Sequence, residues 1–291
     1  MDSEQANAKH DGDAATKVTS TPSPVTFHFG HANGFPAESY TTLFNALPTH
    51  WQRLSVSKFG HAPQYPVSAN WRNQVDELIE HVKRHRPDEK PVYAVGHSFG
   101  AVISYMAACE APSLFKGLIM FDPPLVTGMS SAFFRLAKLT PYIDKLTPAR
   151  LASSRRTSWP KSTDLVEYFK NKGLFKNMDR RCVEDYVHAV TRLRDEHWHL
   201  TFRADVEAEL FRNVPHNLHK YYGKLQCPSV LVTAKDTTVC VEKMRKPFIK
   251  GNNMRHDVLP GGHMFVLERP EAVAEYITAT ITQWETANQE G

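Results

Sequence analysis

Apolar residues along this chain recur at two spacings, and the two alternate. Short candidate strand runs fall at 25–29, 52–57, 91–95, 117–121, 228–234 and 255–259, alternating with helical stretches. Between them, Trp71, Val75, Leu78, Ile79 and Val82 share one helical stripe, and Val273, Tyr276, Ile277, Ile281 and Trp284 share another. Each stripe predicts a helix packed on a sheet. Strands and helices in alternation are the pattern of an α/β fold, a mostly parallel sheet covered by helices on both faces.

The rhythm breaks twice. Residues 1–24 carry almost no large apolar side chain, so they cannot bury enough surface to offset the entropy of ordering, and a disordered tail is expected there. Residues 125–226 contain no convincing strand run. Their clearest element is a helical stripe through Val183, Tyr186, Val187, Val190 and Leu193, and they also hold Phe133, Phe134, Trp159, Tyr168, Phe169 and Trp198. The expected organisation is therefore one α/β core made of 25–124 and 227–291, interrupted by a helical insertion at 125–226. An insertion leaving a strand's C-terminal end would roof the crevice where open α/β sheets bind ligands. Its aromatics are expected to form the insertion's own small core and, in part, to face a substrate.

Composition narrows the functional classes. The 291 residues are 41% apolar and 23% charged, the balance of a soluble globular protein. The net charge of +4 is spread through short groups such as Arg155-Arg156 and Arg180-Arg181, which do not make the continuous basic face that nucleic acid requires. No apolar run is long enough to span a bilayer, and the N-terminus lacks the order of a secretory signal, so a cytoplasmic protein is expected. Cys109, Cys182, Cys227 and Cys240 have no paired short spacing and read as reduced thiols. His197-Trp198-His199 is the tightest histidine cluster, but it lacks carboxylate or thiolate companions, so no metal is assigned. No cofactor is expected.

The chemistry concentrates at strand ends. Val92-Tyr93-Ala94-Val95 is a short apolar strand, Gly96-His97-Ser98-Phe99-Gly100 follows, and an apolar helix begins at Ala101. Strand, tight turn and helix in that order make a nucleophile elbow, in which the flanking glycines let strand and helix approach and the serine is lifted into the open. Ser98 is thus the candidate nucleophile. A serine hydroxyl needs a histidine to take its proton. His263, preceded by Gly261-Gly262 in a loop after the last predicted strand, is the candidate base. A carboxylate must then orient the imidazole, and two aspartates compete. Asp236 follows the strand 228–234 and gives the chain order Ser, Asp, His, so it is preferred; Asp122, at the end of 117–121, is the alternative. The oxyanion donors are expected to be the backbone N–H groups of Phe99, next after the nucleophile, and of Asn33, in the loop after the first strand.

With these residues in place, the chain resembles the α/β-hydrolase superfamily over about residues 25–287. The resemblance is carried by His31-Ala32-Asn33-Gly34-Phe35-Pro36, the Gly96 to Gly100 elbow, Lys235-Asp236 and Gly262-His263-Met264. It is most similar to the lidded, serine esterase and lipase-like branch, which also includes carbon–carbon bond hydrolases and cofactor-free haloperoxidases. The resemblance implies an α/β-hydrolase fold with an inserted helical lid and a small apolar ester-like substrate. Ala32 stands where that branch usually has glycine. Family members commonly have two antiparallel strands ahead of the one at 25–29; the polar tail leaves little room for them, so a shortened sheet of about six strands is expected. A serine at the elbow excludes the chemistry of relatives with an aspartate nucleophile. Ester cleavage through an acyl-enzyme is the expected activity. Thioesterase, carbon–carbon hydrolase and acyltransferase chemistry would use the same triad, and an inactive ligand-binding protein of this fold is the rival from another class.

Overall fold

The computed structural model of the protein describes residues 24–290. Apart from Pro24, the tail expected at 1–24 lies outside the described residues. In chain order, β1 (Thr26–Gly30) leads to α1 (Thr41–Asn45) and β2 (Gln52–Leu54), then α2 (Arg72–His85), β3 (Val92–His97), α3 (Phe99–Glu110) and β4 (Phe115–Phe121). After the insertion come β8 (Ser229–Ala234), α10 (Glu242–Asn252), β9 (Arg255–Leu259), α11 (Phe265–Glu268) and α12 (Pro270–Glu290). The insertion itself holds α4 (Met129–Ala137), α5 (Ile143–Leu146), α6 (Ala149–Ser153), β5 (Ser158–Pro160), α7 (Leu165–Lys170), α8 (Arg180–Val190), β6 (Thr191–Arg194), β7 (His197–Leu200) and α9 (Ala204–Arg212).

The main sheet has six strands in the order β2-β1-β3-β4-β8-β9, every pair parallel. Its four central strands are buried on both faces, as a parallel sheet covered by crossover helices requires. On β4, Ile119 and Phe121 join Phe27, Phe29, Val95 and Val232 in a core closed by α12, whereas Leu118 and Met120 face the opposite core under α2 and α3. Helix α3 is buried along almost its whole length, which suits its lack of a polar face.

The register aligns the carboxyl ends of the central strands. Gly30 lies opposite Gly96, His97 opposite Phe121, and Phe121 opposite Val232. The residues that follow β1, β3, β4, β8 and β9 therefore emerge along one edge. The start of α3 is pressed against the end of β1 there. A Cβ at Gly100 would stand 2.0 Å from the Gly30 carbonyl oxygen, and one at Gly96 would stand 2.6 Å from the Ala101 backbone nitrogen.

The insertion differs from its expected all-helical make-up in one respect. β5, β7 and β6 form a small antiparallel sheet, and Leu193, assigned above to a helical stripe, lies on β6 with its side chain exposed. The hairpin joining β6 to β7 turns at Asp195 and Glu196, both with positive φ (47° and 59°). Two successive positive φ values make the tight hairpin turn that Asn-Gly usually signals, and Asp-Glu does not advertise it. The insertion is also welded to the main domain, because Trp159, Phe169, Phe175 and Tyr186 belong to the same apolar cluster as Phe29 and Val95.

The elbow contact gives a direct test. Gly100→Ala must push α3 away from β1, with no flexible side chain to absorb the overlap, and should destabilise the protein by roughly 3 kcal/mol or more. Urea unfolding is the measurement; a variant as stable as the parent would show that the two backbones are not in contact.

Candidate active site

Ser98 sits between β3 and α3 with φ 53° and ψ −118°, a conformation that costs a non-glycine residue energy and is held by the packing around it. Its N–H donates to the Phe121 carbonyl at 2.8 Å, which ties the elbow to the neighbouring strand. The serine is the N-cap of α3, yet its side chain makes no capping bond. The hydroxyl is turned instead to the Nε2 of His263, 3.1 Å away.

The carboxylate on the other side of the imidazole belongs to Asp122, whose Oδ2 lies 2.6 Å from His263 Nδ1. This corrects the preference for Asp236, whose side chain is exposed at the surface. The physical reason is register. Asp122 follows Phe121 as directly as Ser98 follows His97, and those two strand residues are partners, so the carboxylate emerges one strand away from the hydroxyl. Asp236 lies two residues beyond the end of β8, where the chain has already turned outward. It contributes through its backbone, donating its N–H to the Gly261 carbonyl at 3.1 Å and so holding the loop that carries His263. Asp122 is fully buried and has φ 42°. It accepts further hydrogen bonds from the Thr237 hydroxyl at 2.6 Å and the Ala234 N–H at 3.3 Å, which fix its carboxylate toward the imidazole.

A second set of contacts, unforeseen from the sequence, joins the loops. The Ala32 N–H donates to Tyr40 Oη (3.1 Å), Tyr40 Oη is 2.9 Å from His97 Nδ1, and His97 Nε2 is 2.9 Å from the His263 carbonyl. A carbonyl can only accept, so Nε2 carries the His97 proton and Nδ1 accepts from the tyrosine hydroxyl. Each group is satisfied once, and the chain of bonds runs from the loop after β1 to the loop after β9. Its only sequence signal was a histidine inside the elbow motif.

Of the two expected oxyanion donors, Phe99 follows the serine directly and Asn33 lines the same cavity. Phe99 opens α3, where a backbone N–H has no intrahelical acceptor, and the Asn33 N–H makes no hydrogen bond among the described residues. The Asn33 side chain donates to the Glu207 carbonyl at 2.9 Å and pins this loop to α9 of the insertion. Ser98, His263, Asn33 and Phe99 open onto a cavity of about 940 Å³. Its walls are largely apolar, with Trp71, Phe134, Trp159, Phe169, Phe211 and Met264 among them, so the insertion does supply part of the lining. Phe169 and Trp159 belong at once to the insertion's core and to this wall. His197 and His199 project from β7 into solvent, and among the described residues no three metal-binding side chains gather.

A family model described as the alpha/beta hydrolase family matches residues 29–276. The chain belongs to that family. Among curated relatives, it is similar to a monoglyceride lipase of Rattus norvegicus, 30% identical over 126 residues that cover 40% of each chain. It is also similar to a type I acyl-CoA thioesterase of Penicillium roqueforti, 26% identical over 196 residues, or 62% of this chain and 41% of that one. The chain thus matches about two fifths of the length of these relatives. Of solved structures, the peroxisomal alpha-beta-hydrolase Lpx1 of Saccharomyces cerevisiae superposes with a TM-score of 0.74 at 14% identity, covering 91% of this chain and 78% of that one. The thioesterase domain from the curacin biosynthetic pathway superposes at 0.70 with 16% identity, covering 89% and 92%. At such identities the likeness is one of fold. Among the described residues no helix is long and apolar enough to cross a membrane.

This α/β hydrolase stores several buried titratable groups around the site. Burial, and then His263, pull the pKa of His97 down to about 3, and burial pulls that of His31 down to about 4. His28, buried with neither ring nitrogen hydrogen-bonded among the described residues, is held well below the ordinary value by burial and then by His81. Such groups take up protons on unfolding, so the stability they contribute is complete above pH 6.5 and is lost as pH falls toward their native values. Glu77 acts in the opposite sense. Burial pushes its carboxyl up to about 7 although it accepts the Gly60 N–H, so it favours the native state increasingly as pH falls from 7 to its unfolded value. The histidines outnumber it. Stability should therefore fall as pH is lowered from 6.5 toward 4.5. Urea titrations between pH 4.5 and 6.5 measure this slope, and a flat profile would mean that these histidines are not held neutral.

Proposed function

We propose that this protein is a serine hydrolase that cleaves a carboxylic ester of an apolar acyl group through an acyl-enzyme. The observation that carries the reading is the continuous line from Asp122 through His263 to Ser98, 2.6 Å and 3.1 Å, at the floor of a large apolar cavity. His263 takes the Ser98 proton as the oxygen attacks the acyl carbon, and Asp122 holds the imidazole in the tautomer that can accept it. The tetrahedral oxyanion is received by the N–H groups of Asn33 and Phe99. His263 then gives its proton to the leaving alcohol, and a water deprotonated by the same imidazole releases the acid. The similarity to monoglyceride lipase favours a lipid-like ester. A thioester is the second reading, favoured by the similarity to acyl-CoA thioesterases; it needs no change of mechanism, only of leaving group.

Three single changes test the roles. Ser98→Ala should lower turnover of a chromogenic ester at least about a thousandfold with the fold intact, and should abolish labelling by a fluorophosphonate. Asp122→Asn should cost about a thousandfold or more, because the amide favours the wrong imidazole tautomer, while Asp236→Asn keeps substantial activity. Retained activity in Ser98→Ala with a native circular dichroism spectrum would end the serine-hydrolase reading. The opposite ranking of the aspartates would move the acid to Asp236.

The insertion is proposed to set acyl preference through its part of the cavity wall. Phe169→Ala should shift the preferred acyl length on a graded ester panel more than it changes turnover of a small acetate ester. An unchanged preference would assign this ring to the insertion's core alone.

A further inference from the structure

The charged residues lining the cavity are unbalanced: Arg155, Arg156 and Lys172 stand against a single carboxylate, Glu207. Arg155 is consumed locally, since it pairs with Glu207 at 2.5 Å and donates to Tyr186 Oη at 2.7 Å. Arg156 and Lys172 have no ion-pair partner among the described residues, so the wall carries an excess of two positive charges. Both are steered by aromatic rings rather than by carboxylates. The Arg156 guanidinium carbon lies 5.9 Å from the centre of Trp159, and Lys172 Nζ lies 4.5 Å from that of Tyr168. The two rings meet edge-on at 5.5 Å, so a cation, two rings and a second cation form one continuous strip along the lid side of the cavity. Arg156 is anchored from behind by its Nε donating to the Ser158 carbonyl at 2.7 Å, which leaves the rest of the guanidinium available. Within the strip, Trp159 is 1% exposed, and its indole Nε1 has no hydrogen-bond partner among the described residues.

An indole N–H, a guanidinium and an ammonium share one property: all of them donate and none accepts. Arg156 and Lys172 are exposed to solvent, so a plain alkyl chain against this strip would leave the indole donor unpaired and displace water from two cations, whereas an oxygen anion suits all three. We propose that the strip of Arg156, Trp159, Tyr168 and Lys172 is a subsite for an anionic oxygen group, a carboxylate or phosphate, carried by an otherwise apolar acyl substrate. The proposal rests on the catalytic reading of Ser98 for its link to turnover, but not for binding. The anion has two possible sources. It is either a carboxylate at the far end of the acyl chain or a phosphate in the leaving group, as in coenzyme A.

The test separates the sources and the two readings. In the first arm, the p-nitrophenyl monoester of octanedioic acid is compared with p-nitrophenyl octanoate; in the second, octanoyl-coenzyme A is compared with S-octanoyl-N-acetylcysteamine. For each arm the ratio of kcat/KM, charged over neutral, is measured in the parent protein, in Trp159→Phe, and in the double variant Arg156→Gln/Lys172→Gln. Both positions of the double variant are exposed, so it should fold whatever Trp159→Phe does. In at least one arm the ratio should fall about tenfold in the double variant, chiefly through KM, and several-fold in Trp159→Phe. The arm that responds identifies the source. Ratios unchanged within about twofold in both arms would overturn the proposal. Binding of octanedioate and of octanoyl-coenzyme A in the Ser98→Ala background, measured by calorimetry, reads the subsite without turnover. Tenfold weaker binding in the double variant, with no ester hydrolysed by the parent, would sink the catalytic reading and sustain the subsite; binding that ignores the double variant would sink the subsite alone.

Discussion

The contact between two glycines, Gly30 at the end of β1 and Gly100 in the first turn of α3, is the constraint on which this molecule turns. With no side chain on either, the helix starts against the strand's last carbonyl, closer than any Cβ allows. That approach forces the sharp reversal at Ser98 and its positive φ. It also brings the start of the loop after β1, at His31, against the first turn of α3. The candidate nucleophile, the candidate donor that follows it and the start of the loop that carries Asn33 thus follow from one steric fact rather than from three separate arrangements.

Around that contact the protein spends buried polar groups with economy. Asp122 is fully buried but accepts from a hydroxyl, a backbone N–H and an imidazole, so its desolvation is offset by hydrogen bonds directed at the carboxylate. Tyr40 and His97 serve the same end, joining the loops after β1, β3 and β9 through groups that are each satisfied once. Burial keeps His97 neutral, and the His263 carbonyl, which can only accept, fixes the proton on Nε2, so the imidazole holds the His263 backbone in place.

The insertion plays a different part. It shares its aromatic core with the main sheet, so it is a fixed roof rather than a separate body. Its short antiparallel sheet places Trp159 in the cavity wall, where two exposed basic side chains without an ion-pair partner among the described residues lie over aromatic rings. Apolar area there suits the acyl chain of the proposed substrate, and the two exposed cations add positive charge to an otherwise apolar wall.

The sequence by itself determined what depends on near neighbours in the chain. The four central strands of the main sheet, β1, β3, β4 and β8, were legible because each is a short, mostly apolar run, whereas the edge strands β2 and β9 were read from their place in the alternation. Ser98 was legible because strand, glycine, serine, glycine and helix are consecutive, and His263 because a glycine pair and a strand end precede it. Tertiary structure alone decided what depends on which strands lie side by side. Asp122 and Asp236 each follow a β-run, and only the register and order of β3, β4 and β8 put one beside the imidazole and the other at the surface. The Asp195-Glu196 hairpin carries no glycine or asparagine to announce it, and it closes because β7 finds partners on both sides. The Tyr40, His97 and His263 connection spans three loops and has no spacing to read. Periodicity records which face of an element is buried, but register and strand order record what it is buried against, and that is set by packing of the whole chain.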